Sequence, residues 1–443
     1  MPDALHGGRF LTLNSVIRLN QIEASHTRNV GNPESGLHRP ENMRAFRAAV
    51  EKVFTEGRMT WAFSWGALNS TAPDYRELRE LAICYQREYG DEVTYSAGGY
   101  FPNVYSDRET VSRELHDGLQ KVRKLIGGGY NPGSVIAGFL SAGNQKYLAE
   151  KENIHVVQGN IFSQFAIDNG DGDGAPCYPY YPSQEHFCKP AQGRAGGAGE
   201  AGEGDFVDCV NLDGWTVDFL AARRHGFADG FNSRMGVGPI ETYSAHGIEN
   251  GLREVLHSQT IHFDDGVQRN GFGWVTVCWE LSLLAEPSHK RECGAGTLEK
   301  WLGATRRRWG DVRLLTQGEF GKLWRKEHRD NSFDYRFVEK GSGIGGSDAD
   351  REIRWFMNRE FRLALLSDLN TRETEVIDFT RYTLPTVEPD CAGVRNWSLL
   401  GDINQKQTRP QDKPRPFARL PREWQEIILA RYPELGRQSG HFK

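Results

Sequence analysis

Between Phe10 and about Trp324 the sequence keeps switching its hydrophobic period. Short continuous apolar runs alternate with longer segments whose apolar residues recur every three or four positions. The first pattern reads as a strand buried on both faces, the second as a helix with one buried side. Phe10–Leu19 is predicted to be a strand. Pro40–Thr55 is predicted to be a helix with Met43, Phe46, Val50 and Phe54 on its apolar face. Further strands are predicted at Met59–Trp65, Glu92–Ser96, Ser134–Leu140, Ile154–Gln158, Phe206–Asn211, Gly273–Leu281 and Val312–Thr316. Helices are predicted between them at Asp74–Tyr89, Arg108–Ile126, Asn144–Glu152, Trp215–Arg224, Glu249–Phe263 and Thr297–Trp309. This alternation implies βαβ units and a parallel sheet. Seven or eight units suffice to close a barrel; the alternative is a large open, doubly wound sheet. No G-x-G-x-x-G follows the first strand, which weakens a dinucleotide-binding fold. The expected fold class is therefore α/β, an irregular (β/α)7–8 barrel.

After about Lys326 the pattern changes. Tyr335–Val338, Ile353–Met357, Phe361–Leu366 and Val376–Tyr382 read as short strands, prolines multiply beyond Pro385, and Leu420–Tyr432 reads as a last helix. The expected organisation is a barrel over 1–325 and a smaller β-rich domain over 326–443, with a tail that wraps back over the body. Gly341, Gly343 and Gly346 do spell G-x-G-x-x-G, but a polar SDADRE follows, so a glycine-rich turn is expected there. The run GRAGGAGEAGEG, residues 193–204, reads as a flexible excursion.

Bulk composition excludes several classes. Charged residues are 26% and the net charge is −5, without the basic stripe of a nucleic-acid binder. No apolar run reaches the roughly 18 residues of a membrane span, and MPDALHGGRF has no signal-peptide core. A cytoplasmic location is the expectation, with export open if a leader has been removed. The seven cysteines contain no C-x-x-C, so neither a zinc ribbon nor a disulfide framework is indicated.

The stretch AIDNGDGDGAPCYPYYPS, 166–183, carries Asn169, Asp171 and Asp173 at calcium-loop spacing. The twelfth loop position, where an EF-hand needs a bidentate Glu, is Tyr180. A calcium hand is excluded on that ground, and a substrate loop at the barrel mouth is favoured over a merely polar turn. No metal or other cofactor is expected.

In α/β barrels the reacting groups lie at the C-terminal ends of the strands. The residues that follow the predicted strands are rich in Asn, Gln, carboxylates and Trp. Glu23 and His26 follow the first strand and Trp65 the second. Gln158, Gln164, Asp168 and Asp171 follow the fifth, Asp213 and Trp215 the sixth, and Trp279 and Glu280 close the seventh. Such a set suits a polyhydroxylated ligand, with flat rings stacking on sugar faces and amides and carboxylates bonding hydroxyls. Glycoside hydrolysis needs two carboxyl groups flanking one bond. Asp213 and Glu280 are the expected pair, each beside a Trp. Glu280, inside the otherwise apolar VTVCWELSLL, is expected to be the acid and Asp213 the nucleophile or base. Plainer roles compete: Glu23 as a helix cap or a partner of Arg28, Asp213 as an N-cap, and His26 as a polar surface or supporting group.

The order of elements from Leu11 to about Leu315 resembles the glycoside hydrolase/deacetylase superfamily. SRELHDGLQKVRKLIG, then NPGSVIAGFLSAGNQKYLAEKENIHVV, is similar to its polysaccharide deacetylase region, and VRLLTQGEF to its closing strand. Most of the chain, AIDNGDGDGAPCYPYYPS included, also resembles a group of bacterial proteins on this barrel, common in gut Bacteroidetes. That resemblance implies a fold and no particular activity. The superfamily's metal-dependent deacetylases carry an Asp-Asp pair after strand one and H-x3-H or H-x4-H after strand three. Here LNQIEASH and YSAGGYFPN stand in those places. The reading is a carbohydrate-active hydrolase acting on a glycan, with neither nucleic acid nor membrane as a partner. The alternatives are a non-catalytic glycan-binding protein on a degenerate barrel and a divergent polysaccharide deacetylase.

Overall fold

The computed structural model describes residues 4–98, 101–138, 140–159, 174–196, 203–214, 220, 240–284, 294–344, 348–390, 392–394, 397–403 and 412–438. Gln164, Asp168, Asp171 and Trp215, the Asn169–Asp173 run and most of the helix predicted at Trp215–Arg224 lie outside the described residues, as does Gly346 of the glycine-rich turn.

Strand β1 (Arg9–Ile17) is the hub. It pairs in parallel with β2 (Thr60–Phe63) on one side and β7 (Gly273–Cys278) on the other, and β2 pairs with β3 (Glu92–Tyr95). A bridge between Ser96 and Ile136 leads to β4 (Val135–Ile136), then β5 (Val156–Gln158) and β6 (Val210–Asn211), all parallel. The order β7-β1-β2-β3-β4-β5-β6 is that of an irregular barrel. β8 (Arg313–Leu315) tucks below β2, pairing with the first half of β1 while β2 pairs with its second half. β4 and β6 are two residues each, much shorter than the apolar runs predicted them.

Alternate β1 residues show what fills the barrel. The Asn14 amide donates to Gln158 Oε1 on β5, four strands away, at 2.8 Å, so the face carrying Phe10, Thr12, Asn14 and Val16 points inward. The filling is layered. At the bottom, helix α9 (Gln317–Glu327) plugs the barrel, with Phe320 stacked on Trp274 at 4.8 Å and close to Phe10. The middle layer is polar: Thr12 accepts from the Trp274 indole, Gln317 donates to Thr276, and Glu92 accepts from Thr60, Ser134 and the Gly318 amide. Above it Val16, Ala62, Ile136 and Cys278 form an apolar layer. The barrel is therefore a packed core, and ligand space lies above this last layer, at the C-terminal ends of the strands.

The helices that cover the barrel follow their sequence signals. α1 (Pro40–Val53) and α3 (Pro73–Tyr89) begin with Pro at the first turn, where the missing N–H costs nothing. α5 (Arg108–Ile126) is N-capped by Asp107 and α6 (Ala142–Lys151) by Ser141, each supplying an acceptor for an otherwise unpaired first-turn amide. α7 (Ile240–Thr260) starts nine residues before the predicted Glu249, bends at Gly247, and runs into a π-helical turn, Ile261–Gly266. α8 (Ala295–Arg308) lies close to its predicted span. The short helices α2 (Trp65–Asn69) and α4 (Pro102–Tyr105) follow β2 and β3. α2 and α4 are too short to show a hydrophobic period, whereas α9 buries Phe320, Gly321 and Trp324 along one stripe and opens with a Thr316–Glu319 capping box.

The seam between β6 and β7 is closed by the aromatic run after Gly174. Tyr180 forms a bridge with Asn211 on β6. The Tyr178 hydroxyl accepts from the Trp274 amide on β7 and donates to the Trp274 carbonyl. Side chain and backbone thus satisfy strand edges that would otherwise face one another unpaired. Gly214 approaches β7 so closely that a Cβ there would lie 1.9 Å from Thr276 Cγ2. Tyr178 also packs edge-on against Tyr335 and Phe337, both at 4.9 Å. Those rings belong to the second sheet. It is antiparallel in the order β13-β12-β11-β10-β9, built from β9 (Asp334–Lys340), β10 (Arg351–Asn358), β11 (Phe361–Asp368), β12 (Thr374–Arg381) and β13 (Arg415–Pro416). α10 (Arg422–Arg431) and α11 (Glu434–Gln438) follow. The second sheet grips the same aromatic run with a fully buried ion pair. Arg362 is bound to Asp378 and donates to the Ala175 carbonyl at 2.8 Å.

Candidate active site at the barrel mouth

Each candidate residue takes its place from the end of a strand. The 19–39 segment after β1 leaves the barrel and returns on itself. The Gln21 amide donates to the Asn32 carbonyl, the Val30 amide to the Ile22 carbonyl, and the Glu34 amide to the Leu19 carbonyl at 2.7 Å. This fold-back brings Glu34 beside Arg18, the residue that follows β1. Both oxygens of Glu34 accept from Arg18, at 2.7 Å from Nε and 3.0 Å from Nη2. The same Nη2 lies 3.2 Å from Glu280 Oε2, two residues past the end of β7. His38 Nε2 stands 3.2 Å from Glu34 Oε2. Burial would push the Glu34 carboxyl up, but the hydrogen bonds from His38 and Arg18 outweigh it and bring it down to about 2. Burial lowers His38, against the pull of Glu34. The neutral ring with its proton on Nε2 donates to Glu34.

Glu280 is the carboxylate of this group that solvent reaches, with 29% of its side chain exposed against 12% for Glu34. Asp213, two residues past β6, is fully buried. It is close enough to the Tyr180 phenol to add to the strong upward push that burial gives that hydroxyl. Gly214 approaches Thr276, inside β7 and four residues before Glu280, so Asp213 and Glu280 follow the two strands that flank this seam.

The other expected ligand contacts separate into rim and interior. His26 and Trp65 stack at 3.7 Å with 8° between their planes, and the Lys121 ammonium lies 5.6 Å from the Trp65 ring centre. His26 Nε2 is 3.0 Å from the Tyr95 hydroxyl, and its amide donates to Glu114. Burial lowers the imidazole to about 4, with Asp117 pulling the other way, so it is neutral near pH 7. One face of Trp65 is thus already occupied by His26.

Three residues expected to meet substrate are occupied elsewhere. Trp279 is fully buried and stacks on Trp301 at 5.8 Å; the platform expected of it is a core contact. Gln158 is spent on Asn14 inside the barrel. Glu23 accepts from the Leu19 amide, the Ser64 hydroxyl and the Gly66 amide, all within 2.8 Å. It ties the fold-back to the end of β2 and caps α2, the plainer role that the sequence left open. Among the described residues no cluster of three His, Cys, Asp or Glu side chains is placed to hold a metal ion.

Sequence reasoning missed Arg18, Glu34 and His38. A charged residue closing an apolar strand is a signal that Arg18 carries. Glu34 and His38 sit in a loop without periodicity, and only the fold-back joins them to the mouth.

Family comparison matches residues 3–357 to a domain of unknown function with a solved structure, DUF3863, and residues 362–435 to a second, DUF3864. The chain belongs to the DUF3863 family. A crystal structure of a candidate glycoside hydrolase/deacetylase from Parabacteroides distasonis is 47% identical, with a TM-score of 0.90 over 98% of this chain and 100% of that one. Distant structures include a candidate polysaccharide deacetylase from Mycobacterium smegmatis, at 14% identity and TM-score 0.41, covering 72% of this chain and 92% of that one. A GH57 branching enzyme from Thermococcus kodakaraensis matches at 13% identity and TM-score 0.39, covering 71% and 70%. A search of curated proteins gives no match. The fold and the family resemblance expected from the sequence therefore hold for this DUF3863 chain.

Proposed function

We propose that this chain is a carbohydrate-active hydrolase, and specifically a glycoside hydrolase whose paired carboxyl groups are Glu280 and Asp213. The observation that carries the reading is Glu280, a partly exposed carboxylate held by Arg18 at the C-terminal end of β7. The 47% identical relative, named for glycoside hydrolase or deacetylase activity, supports the same class. Glycosidases divide the work between a carboxylate that attacks or activates water and a carboxyl that carries a proton to the leaving oxygen. An ion-paired Glu280 suits the first task. Asp213, fully buried beside the Tyr180 phenol, is proposed for the second. These roles are the reverse of those expected from the sequence, where the apolar run around Glu280 pointed to the acid. His26 and Trp65 are the proposed rim contacts for sugar. Gln164, Asp168, Asp171 and Trp215 are proposed as further contacts on the sequence argument alone.

The test is a panel of oligosaccharides and polysaccharides assayed in parallel for new reducing ends and for released acetate. Wild type should release reducing ends. Glu280→Gln and Asp213→Asn should each lower the rate by about 10²–10⁴-fold, the usual scale for an acid–base group. Acetate as the sole product, or full activity in both variants, would sink the proposal. Binding without any product would favour the glycan-binding alternative.

A further inference from the structure

We propose that Arg18, clamped by Glu34, is the positioning residue that fixes the orientation of Glu280. The inference rests on the assignment of Glu280 made above and adds the device that controls it.

The geometry is that of a held guanidinium rather than a simple ion pair. Arg18 lends one edge, Nε and Nη2, to both oxygens of Glu34. A bidentate pair fixes the guanidinium plane as well as its distance. Nη2 then reaches Glu280 Oε2 at 3.2 Å. The backbone around Arg18 is pinned from two sides, since its carbonyl accepts from the Tyr75 hydroxyl at 2.7 Å and the next amide donates to Glu23. Glu34 is held in turn by His38 and by its own amide on the Leu19 carbonyl. The charged groups that the described structure sets against Glu280 are therefore Arg18 directly, with Glu34 and the neutral His38 behind it.

Two carboxylates share one guanidinium here, and they are not equivalent. Glu34 is nearly buried and bonded through both oxygens, whereas Glu280 is the more exposed and makes the longer contact. Glu34 competes with Glu280 for the same cation. Losing the fork of Arg18 should thus free the Glu280 side chain, while losing one oxygen of Glu34 should only loosen the guanidinium that holds it.

The experiment compares crystal structures and steady-state kinetics of wild type, Arg18→Met, Arg18→Lys and the isosteric Glu34→Gln, with melting temperature as the control for folding. Glu280 should hold one rotamer in wild type and lose it in Arg18→Met. Arg18→Lys, which keeps the charge without the fork, should leave the protein folded and Glu280 displaced. In both Arg18 variants kcat should fall by about 10²-fold, the scale of a misplaced reacting group, with KM little changed. Glu34→Gln, which loosens one edge of the guanidinium, should fall between these and wild type. An unmoved Glu280 side chain, or full kcat, in folded Arg18→Met and Arg18→Lys would overturn the proposal. The two readings fail differently. A displaced Glu280 in a protein whose Glu280→Gln variant stays fully active would remove Glu280 from the chemistry while leaving the clamp in place. An unmoved Glu280 with an inactive Glu280→Gln would remove the clamp alone.

Discussion

Glu23 shows how the same residue type serves two ends at one barrel mouth. It lies four residues before Thr27 in a loop and accepts three close hydrogen bonds, including the first-turn amide of α2. Glu280, on the next strand around, is partly exposed and makes one longer contact. Saturation, rather than residue type or distance from a strand end, separates the anchoring carboxylate from the available one. Each buried donor left without its acceptor costs about 1–3 kcal/mol. Glu23→Ala should therefore lose about 3 kcal/mol or more, read as a fall in melting temperature. Glu23→Gln, which keeps an acceptor, should lose less. Little of this distinction is legible in the sequence. That Glu23, Asp213 and Glu280 follow strands can be read from hydrophobic period alone. Which of them is satisfied depends on partners such as Ser64, 41 positions away.

At the scale of elements, the aromatic run after Gly174 has the clearest lesson. Its composition suggested a substrate loop, and the part described is core. Tyr178 lends its hydroxyl to the free edge of β7, and its ring is enclosed by Trp274, Tyr335 and Phe337. Tyr178→Phe keeps the ring and removes the two hydrogen bonds. It should cost about 1–3 kcal/mol in a denaturant titration, with amide exchange at Trp274 accelerated beyond that of the rest of β7. Unchanged exchange there would argue against the edge role. The longer strands were well marked because both faces are buried, so most of their positions are apolar. The short helices α2 and α4 were not. Their stability comes from docking, and α9 is placed by Phe320 entering the barrel floor.

At the scale of the molecule, the two family matches meet between 357 and 362, and that point falls inside a sheet. β9 and β10 lie before it, and β11 and β12 pair after it. Arg362, just beyond the junction, holds the Ala175 carbonyl of the barrel seam. The second sheet is thus tied to the barrel through the same aromatic run that closes β6 against β7. A chain ending at Met357 should expose the edge of β10 and leave Trp355 and Ile353, both fully buried, without their cover. It should be insoluble or bind a hydrophobic dye strongly. A soluble, cooperatively melting product would show that the barrel stands without the strands beyond the junction. Among the described residues no helix is long and apolar enough to cross a membrane.

The sequence by itself determined the alternation of strands and helices, the parallel barrel with its β-rich companion, and the strand ends where chemistry can lie. Those follow from local period, and period is set by which backbone geometry buries an apolar residue. Only the tertiary structure decided that Trp279 is core, that Glu23 is an anchor, that Tyr178 closes the seam, and that Arg18 stands between Glu34 and Glu280. Each of these depends on contacts between residues far apart in the chain, and the energy of a polar group is set by the partners that burial leaves it.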